Sequence, residues 1–171
     1  MFGWDWGPRL PDAGIWRDIS IIGLTEGMLK SVFITQKHTD GKVTLRFQPE
    51  TAYVPEKGNA EFVATVTAPD GTVVASGPAQ DGLVIEKPEL WWPNGYGKHP
   101  LYTVTVEYRS AGKVVDTWTR KIGLRTLTVL REKDEWGESF AFQVNGVPIF
   151  SMGADYIPED NLLPRVTPER T

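Results

Sequence analysis

Two indoles and a carboxylate crowd into the run Trp4-Asp5-Trp6-Gly7-Pro8-Arg9. Such a set suits a sugar: aromatic faces stack on the C–H groups of a pyranose, while a carboxylate accepts hydrogen bonds from its hydroxyls. The same residues would equally serve as a Trp-anchored loop capping a β-sandwich. A second aromatic cluster, Pro88-Glu89-Leu90-Trp91-Trp92-Pro93-Asn94-Gly95-Tyr96-Gly97, adds an acid and an Asn-Gly turn. Its prolines and glycines fold the segment sharply, and buried Trp commonly pins crossings of this kind, which favours a structural role. If Trp91, Trp92 and Tyr96 were stacking platforms, the chain would instead be a carbohydrate-binding module.

The remaining polar candidates point away from chemistry. Asp155, Glu159 and Asp160 read as solvated acids, or as acceptors for backbone N–H groups, rather than as an acid/base pair. His38 and His99 lie far apart in turn-like contexts without a neighbouring acid, and Ser139 and Ser151 lack a nucleophile-elbow pattern. Gly95-Tyr96-Gly97 follows a turn and opens no helix, so it is not a phosphate loop. With no Cys and two His, a thiolate metal site, a cysteine nucleophile and a disulfide scaffold are excluded, and too few ligands remain for zinc. Neither a metal nor a cofactor is expected.

The elements that must hold these residues follow from composition and periodicity. The 171 residues carry 18 Lys+Arg against 22 Asp+Glu, a net charge of -4, with 40% hydrophobic residues. That length supports one good core but hardly two full-sized domains. Mild acidity without a basic run argues against nucleic acid or an anionic membrane as partner. No stretch approaches the about 18 apolar residues of a membrane span. The first residues lack the basic and apolar regions of a signal peptide, and the absence of Cys fits a bacterial cytoplasmic setting. Seven Trp, 17 Gly and 13 Pro without a helix-period window read as an all-β chain.

Strand alternation is plain in several places. Ile15, Ile19 and Ile21 oppose Arg17 over residues 15–23, which predicts a half-buried strand. Val43, Leu45 and Phe47 alternate with Thr44, Arg46 and Gln48, and Phe62, Ala64 and Val66 repeat the pattern. Pro69-Asp70-Gly71 then turns a hairpin over residues 60–76. Tyr102, Val104, Val106 and Tyr108 begin a second hairpin, which turns at Ala111-Gly112-Lys113 and returns from Val114 to Ile122. Six or seven strands between about Glu26 and Gly123 predict an immunoglobulin-like β-sandwich of about 100 residues. Beyond it, Asn145-Gly146 between two apolar runs signals a further hairpin. Thr167-Pro168-Glu169 has the N-cap, first-turn proline and acid of a helix start. A helix that begins so near Thr171 reads as the mark of a fragment.

Taken in order, Phe2-Gly3-Trp4-Asp5-Trp6-Gly7-Pro8, Gly14-Ile15-Trp16-Arg17, Leu90-Trp91-Trp92-Pro93-Asn94-Gly95-Tyr96-Gly97, Lys121-Ile122-Gly123-Leu124-Arg125, Phe142 to Phe150 and Gly153-Ala154-Asp155-Tyr156-Ile157-Pro158 resemble the β-mannosidases of glycoside hydrolase family 2. Related exo-β-glucosaminidases and β-galactosidases are the alternatives. The resemblance implies three parts: residues 1–24 from the end of a jelly-roll sugar-binding domain, residues 25–123 as the immunoglobulin-like sandwich, and residues 124–171 running into the first strand of a (β/α)8 catalytic barrel. It also implies that Asp5 helps hold the terminal sugar, that Trp4 and Trp6 support its loop, and that Asp155 and Tyr156 sit where the first barrel strand faces the active site. At position 155 the family usually has Asn, which donates hydrogen bonds that a carboxylate cannot. The family hydrolyses with retention through two Glu set about 5–5.5 Å apart on later barrel strands. Both would lie beyond Thr171, which makes the chain itself catalytically silent, its sandwich a spacer between sugar-binding domain and barrel. A β-mannoside or manno-oligosaccharide, the jelly roll and the barrel are the implied partners. Surface left bare by those neighbours would invite dimerisation of the fragment.

Overall fold

The computed structural model describes residues 3, 7–11, 13–24, 26–53 and 60–170. It divides into two compact units, one formed by residues 1–23 and 152–171 and the other by residues 24–151.

The larger unit is built from ten strands among the described residues. The first seven are β1 (Met28–Thr39), β2 (Lys42–Tyr53), β3 (Ala60–Thr67), β4 (Val73–Pro78), β5 (Leu83–Ile85), β6 (Tyr102–Ser110) and β7 (Lys113–Ile122). They form two antiparallel sheets, ordered β1-β2-β5 and β4-β3-β6-β7. Each strand turns alternate side chains inward, so the apolar positions of both sheets meet in one core. Val43, Leu45 and Phe47 come from one sheet; Ala64, Val66, Tyr102, Val104, Val106 and Tyr108 come from the other. The pairing Ala64 to Val106 and Val66 to Val104 sets the register that puts these side chains on the same face. This is the two-sheet sandwich that the alternation predicts.

The turns obey their local chemistry. Between β1 and β2, Asp40 and Gly41 both have positive φ, 51° and 74°, as a two-residue hairpin requires. The hydroxyl groups of the two buried tyrosines find partners. Tyr108 donates to the Glu26 carbonyl at 3.0 Å, and Tyr102 accepts from the Glu89 backbone N–H at 2.8 Å.

A small third sheet follows in the order β10-β9-β8, built from β8 (Leu127–Leu130), β9 (Ala141–Val144) and β10 (Val147–Ile149). The Asn145-Gly146 turn joins β9 to β10 with φ of 51° and 80°, as its sequence signals.

Two expectations at the ends are corrected. Residues 15–23 form no strand, and Ile15, Ile19 and Ile21 are 80%, 80% and 101% exposed. Alternation supplies a face to bury but not a neighbouring strand, and a strand without a partner does not persist. Thr167 to Arg170 form one turn instead of a helix, closed by the Arg170 N–H donating to the Thr167 carbonyl at 3.0 Å. A single turn fixes several dihedrals for one hydrogen bond, too little to carry a helix. The Glu169 carboxyl is held below its ordinary pKa by its own backbone N–H and the Thr167 side chain, so the capping residues are engaged even without the helix.

Candidate functional site

In the smaller unit, segments from opposite ends of the sequence come together. The Asn161 side-chain amide donates to the Pro8 carbonyl at 2.9 Å across 153 positions of sequence. Around this contact lies a cavity of about 740 Å³, lined by Gly3, Gly7, Pro8 and Leu10 from the first segment and by Ile157, Pro158, Glu159, Asp160, Asn161 and Arg165 from the second. The mixture of an apolar wall with a few convergent polar groups is that of a small-molecule site.

Asp160 organises the second segment. Its carboxylate accepts from the Leu162 backbone N–H at 2.9 Å and forms ion pairs with Arg165 Nε at 3.2 Å and Arg170 Nη1 at 3.0 Å. These contacts, the Leu162 N–H foremost, hold its pKa below the ordinary carboxylate value. Asp160 is therefore the bound acceptor that its setting predicts. Of the sugar-holding candidates, Asp155 and Tyr156 are exposed, and neither belongs to the described lining of the cavity. Trp4, Asp5 and Trp6 lie outside the described residues. Asn161 and Arg165 were not visible as site residues in the sequence, because no spacing rule links a lone Asn to a carbonyl at the other end of the chain.

The second aromatic cluster has a different role, as the joint between the sandwich and the third sheet. Trp91 donates its backbone N–H to the Leu124 carbonyl at 2.9 Å, and its own carbonyl accepts from Asn145 Nδ2 at 3.0 Å. Asn145 Oδ1 also accepts from the Thr126 N–H at 3.0 Å. The Arg125 guanidinium lies 4.7 Å from the Trp91 ring centre, and His99 meets the same ring edge-on at 5.8 Å. Gly123 packs against this indole so closely that a Cβ there would come within 2.8 Å of it. Tyr96 is occupied too, its hydroxyl accepting from the Phe150 N–H at 2.9 Å. These rings are fasteners, with their faces and edges already engaged.

His38 closes the same joint from β1. The Gln36 side chain donates to the Gly123 carbonyl at 3.1 Å and accepts from the Arg125 N–H at 3.2 Å and from His38 Nε2 at 3.1 Å. Because the amide oxygen can only accept, Nε2 carries the proton. Burial lowers the pKa of His38, with a backbone contact to Arg125 acting in the opposite direction. No group of three or more His, Cys, Asp or Glu that could hold a metal occurs among the described residues.

The larger unit thus defines an immunoglobulin-like β-sandwich with an attached three-stranded sheet, an architecture that many unrelated activities share. The sequence profile of glycosyl hydrolases family 2 matches residues 28–125, more than half of the chain, and the chain belongs to this family. Beta-mannosidase B of Emericella nidulans is 34% identical over 99% of the chain, and that of Neosartorya fischeri is 36% identical over the same share. The chain spans about 21% of the length of these curated relatives. Among solved structures, the beta-D-mannosidase from Dictyoglomus thermophilum superposes with a TM-score of 0.87 at 28% identity, covering 99% of this chain and 22% of its own. A β-glucuronidase from Ruminococcus gnavus shares the fold at a TM-score of 0.59 and 17% identity, over 75% of this chain and 20% of its own.

Proposed function

We propose that these residues work within a longer retaining exo-β-mannosidase that removes terminal β-D-mannose from glycosides. In this reading residues 1–24 end a jelly-roll domain, residues 25–123 are a spacer, and residues 124–171 lead into a (β/α)8 barrel. The observation that carries it is the convergence in one unit, around one cavity, of the two segments that flank the sugar-holding candidates. Relatives named beta-mannosidase match both segments along with the sandwich, since they align over 99% of the chain. Asp5 accepts hydroxyl hydrogen bonds of the terminal sugar, Trp4 and Trp6 support its loop, and Asp155 and Tyr156 stand at the end of the first barrel strand. A retaining site needs two carboxylates fixed across the scissile bond by a rigid scaffold. The described residues offer no such pair, since Asp160 is committed to its arginines.

The 171-residue chain is accordingly inactive by itself. The test is hydrolysis of a chromogenic β-mannoside by the purified chain and by the whole protein. Turnover with retention by the whole protein alone is the expected result, and sustained turnover by the chain would refute the assignment of the catalytic carboxylates beyond it. The alternative, an autonomous carbohydrate-binding module, requires free aromatic platforms. The engagement of Trp91 and Tyr96 with Arg125, His99 and Phe150 disfavours it. Calorimetry with manno-oligosaccharides separates the two, since a module shows binding heat in the millimolar range and a spacer shows none.

A further inference from the structure

The hydrogen bond between Asn161 and Pro8 joins two segments that the sequence keeps 153 positions apart. Its donor rests on a fixed base. The neighbouring Asp160 accepts from the Leu162 N–H, and its other oxygen is paired with Arg165 and Arg170, which pins the backbone from which the Asn161 side chain extends. Its acceptor is rigid as well. Proline locks its own φ and restricts the residue before it, so a carbonyl held at Pro8 constrains Gly7 and the direction in which the chain arrives from Trp6. Asp5 is three positions before this anchor in the sequence.

We infer that Asn161 is a positioning residue for the sugar-holding loop: by gripping the Pro8 carbonyl it sets where the loop that carries Asp5 is presented to a terminal hexose. This rests on the assignment of Asp5 to the sugar. Asn161 touches no substrate and acts through the loop alone. A carboxylate at position 161 keeps the size of the side chain but replaces the donor with an oxygen that repels the Pro8 carbonyl, so Asn161→Asp releases the loop with little change in volume.

The experiment is steady-state kinetics of the whole protein on an aryl β-mannoside, for wild type, Asp5→Asn, Asn161→Asp and the double variant, with thermal midpoints recorded for each. Loss of one such hydrogen bond gives an expected fall in kcat/KM of about three- to tenfold for Asn161→Asp, carried mainly by KM. In the Asp5→Asn background the same substitution changes kcat/KM by less than about twofold, because the residue it positions is already disabled. Equal losses in both backgrounds, or no loss in either, would overturn the inference while leaving the role of Asp5 intact. If Asp5→Asn itself leaves kcat/KM unchanged, the assignment of Asp5 falls and the inference with it. Should Asn161→Asp fail to fold, Asn161→Ala deletes the donor without adding charge, and the same comparison decides.

Discussion

Asn145 links the sandwich to the third sheet through two hydrogen bonds made by one side chain, and truncating it tests whether that joint is real. The amide accepts from the Thr126 N–H and donates to the Trp91 carbonyl, both at 3.0 Å, while the backbone sits at a φ of 51°. A net hydrogen bond contributes about 0.5–1.5 kcal/mol, so losing both costs about 1–3 kcal/mol. Alanine also carries a Cβ into the left-handed region, which adds about 1 kcal/mol that asparagine largely escapes. Asn145→Ala should therefore destabilise the larger unit by about 2–4 kcal/mol, roughly 5–15 °C in midpoint for a domain of this size. Asn145→Gly loses the same two bonds without the strain and should fall between alanine and wild type. Urea unfolding followed by circular dichroism gives the ranking. Amide exchange at Thr126 reports the local bond, and its protection should vanish in both variants. If alanine proves no worse than glycine, or if both stay within about 0.5 kcal/mol of wild type, the joint does not depend on this residue.

Other outcomes follow from the same geometry. Gly123→Ala places a Cβ within 2.8 Å of the Trp91 indole and should cost about 1–3 kcal/mol through overpacking, read as a lowered thermal midpoint. Gly137→Ala, where nothing lies within 4 Å of the added carbon, should leave the midpoint unchanged. Tyr108→Phe removes the hydroxyl that donates to the Glu26 carbonyl at 3.0 Å and should cost about 1 kcal/mol in urea unfolding. The depressed pKa of Asp160 means that its contribution to the smaller unit is complete above the unfolded value of about 3.9 and disappears as pH falls through the lower folded value. Limited proteolysis of residues 157–170 should therefore accelerate below about pH 4, and Asp160→Asn should remove that dependence.

The sandwich was legible because its strands bury one face each. Val43, Leu45 and Phe47 alternate cleanly, as do Tyr102 to Tyr108, and both sets are the core found in the structure. The β1 strand was harder to see. Leu29 and Val32 are both buried although three apart, because register shifts between Met28 and Ser31 change the parity, and Gln36 and His38 take inward positions where polar side chains bind backbone groups. The opposite error arose at Ile15, Ile19 and Ile21, whose alternation is clear but whose strand has no partner. At the candidate site, Gly7, Pro8 and the 157–158 run lay in stretches that the sequence marks out. The Asn161 clamp did not, since a side chain binding a distant carbonyl leaves no periodic trace.

The closure between Pro8 and Asn161 also bears on the order in which the chain takes shape. During synthesis the first segment leaves the ribosome long before its partner exists, and in the interval its isoleucines have nothing to cover them. Residues 24–151 can complete their own core first, since every strand of that unit finds its partners inside it. Ring closure grows costlier only slowly with length, by about 0.6 kcal/mol per doubling, and a sandwich already folded between the two segments replaces most of that slack with a fixed spacer. The smaller unit is thus the last to form and, under proteolytic or thermal stress, the first to open.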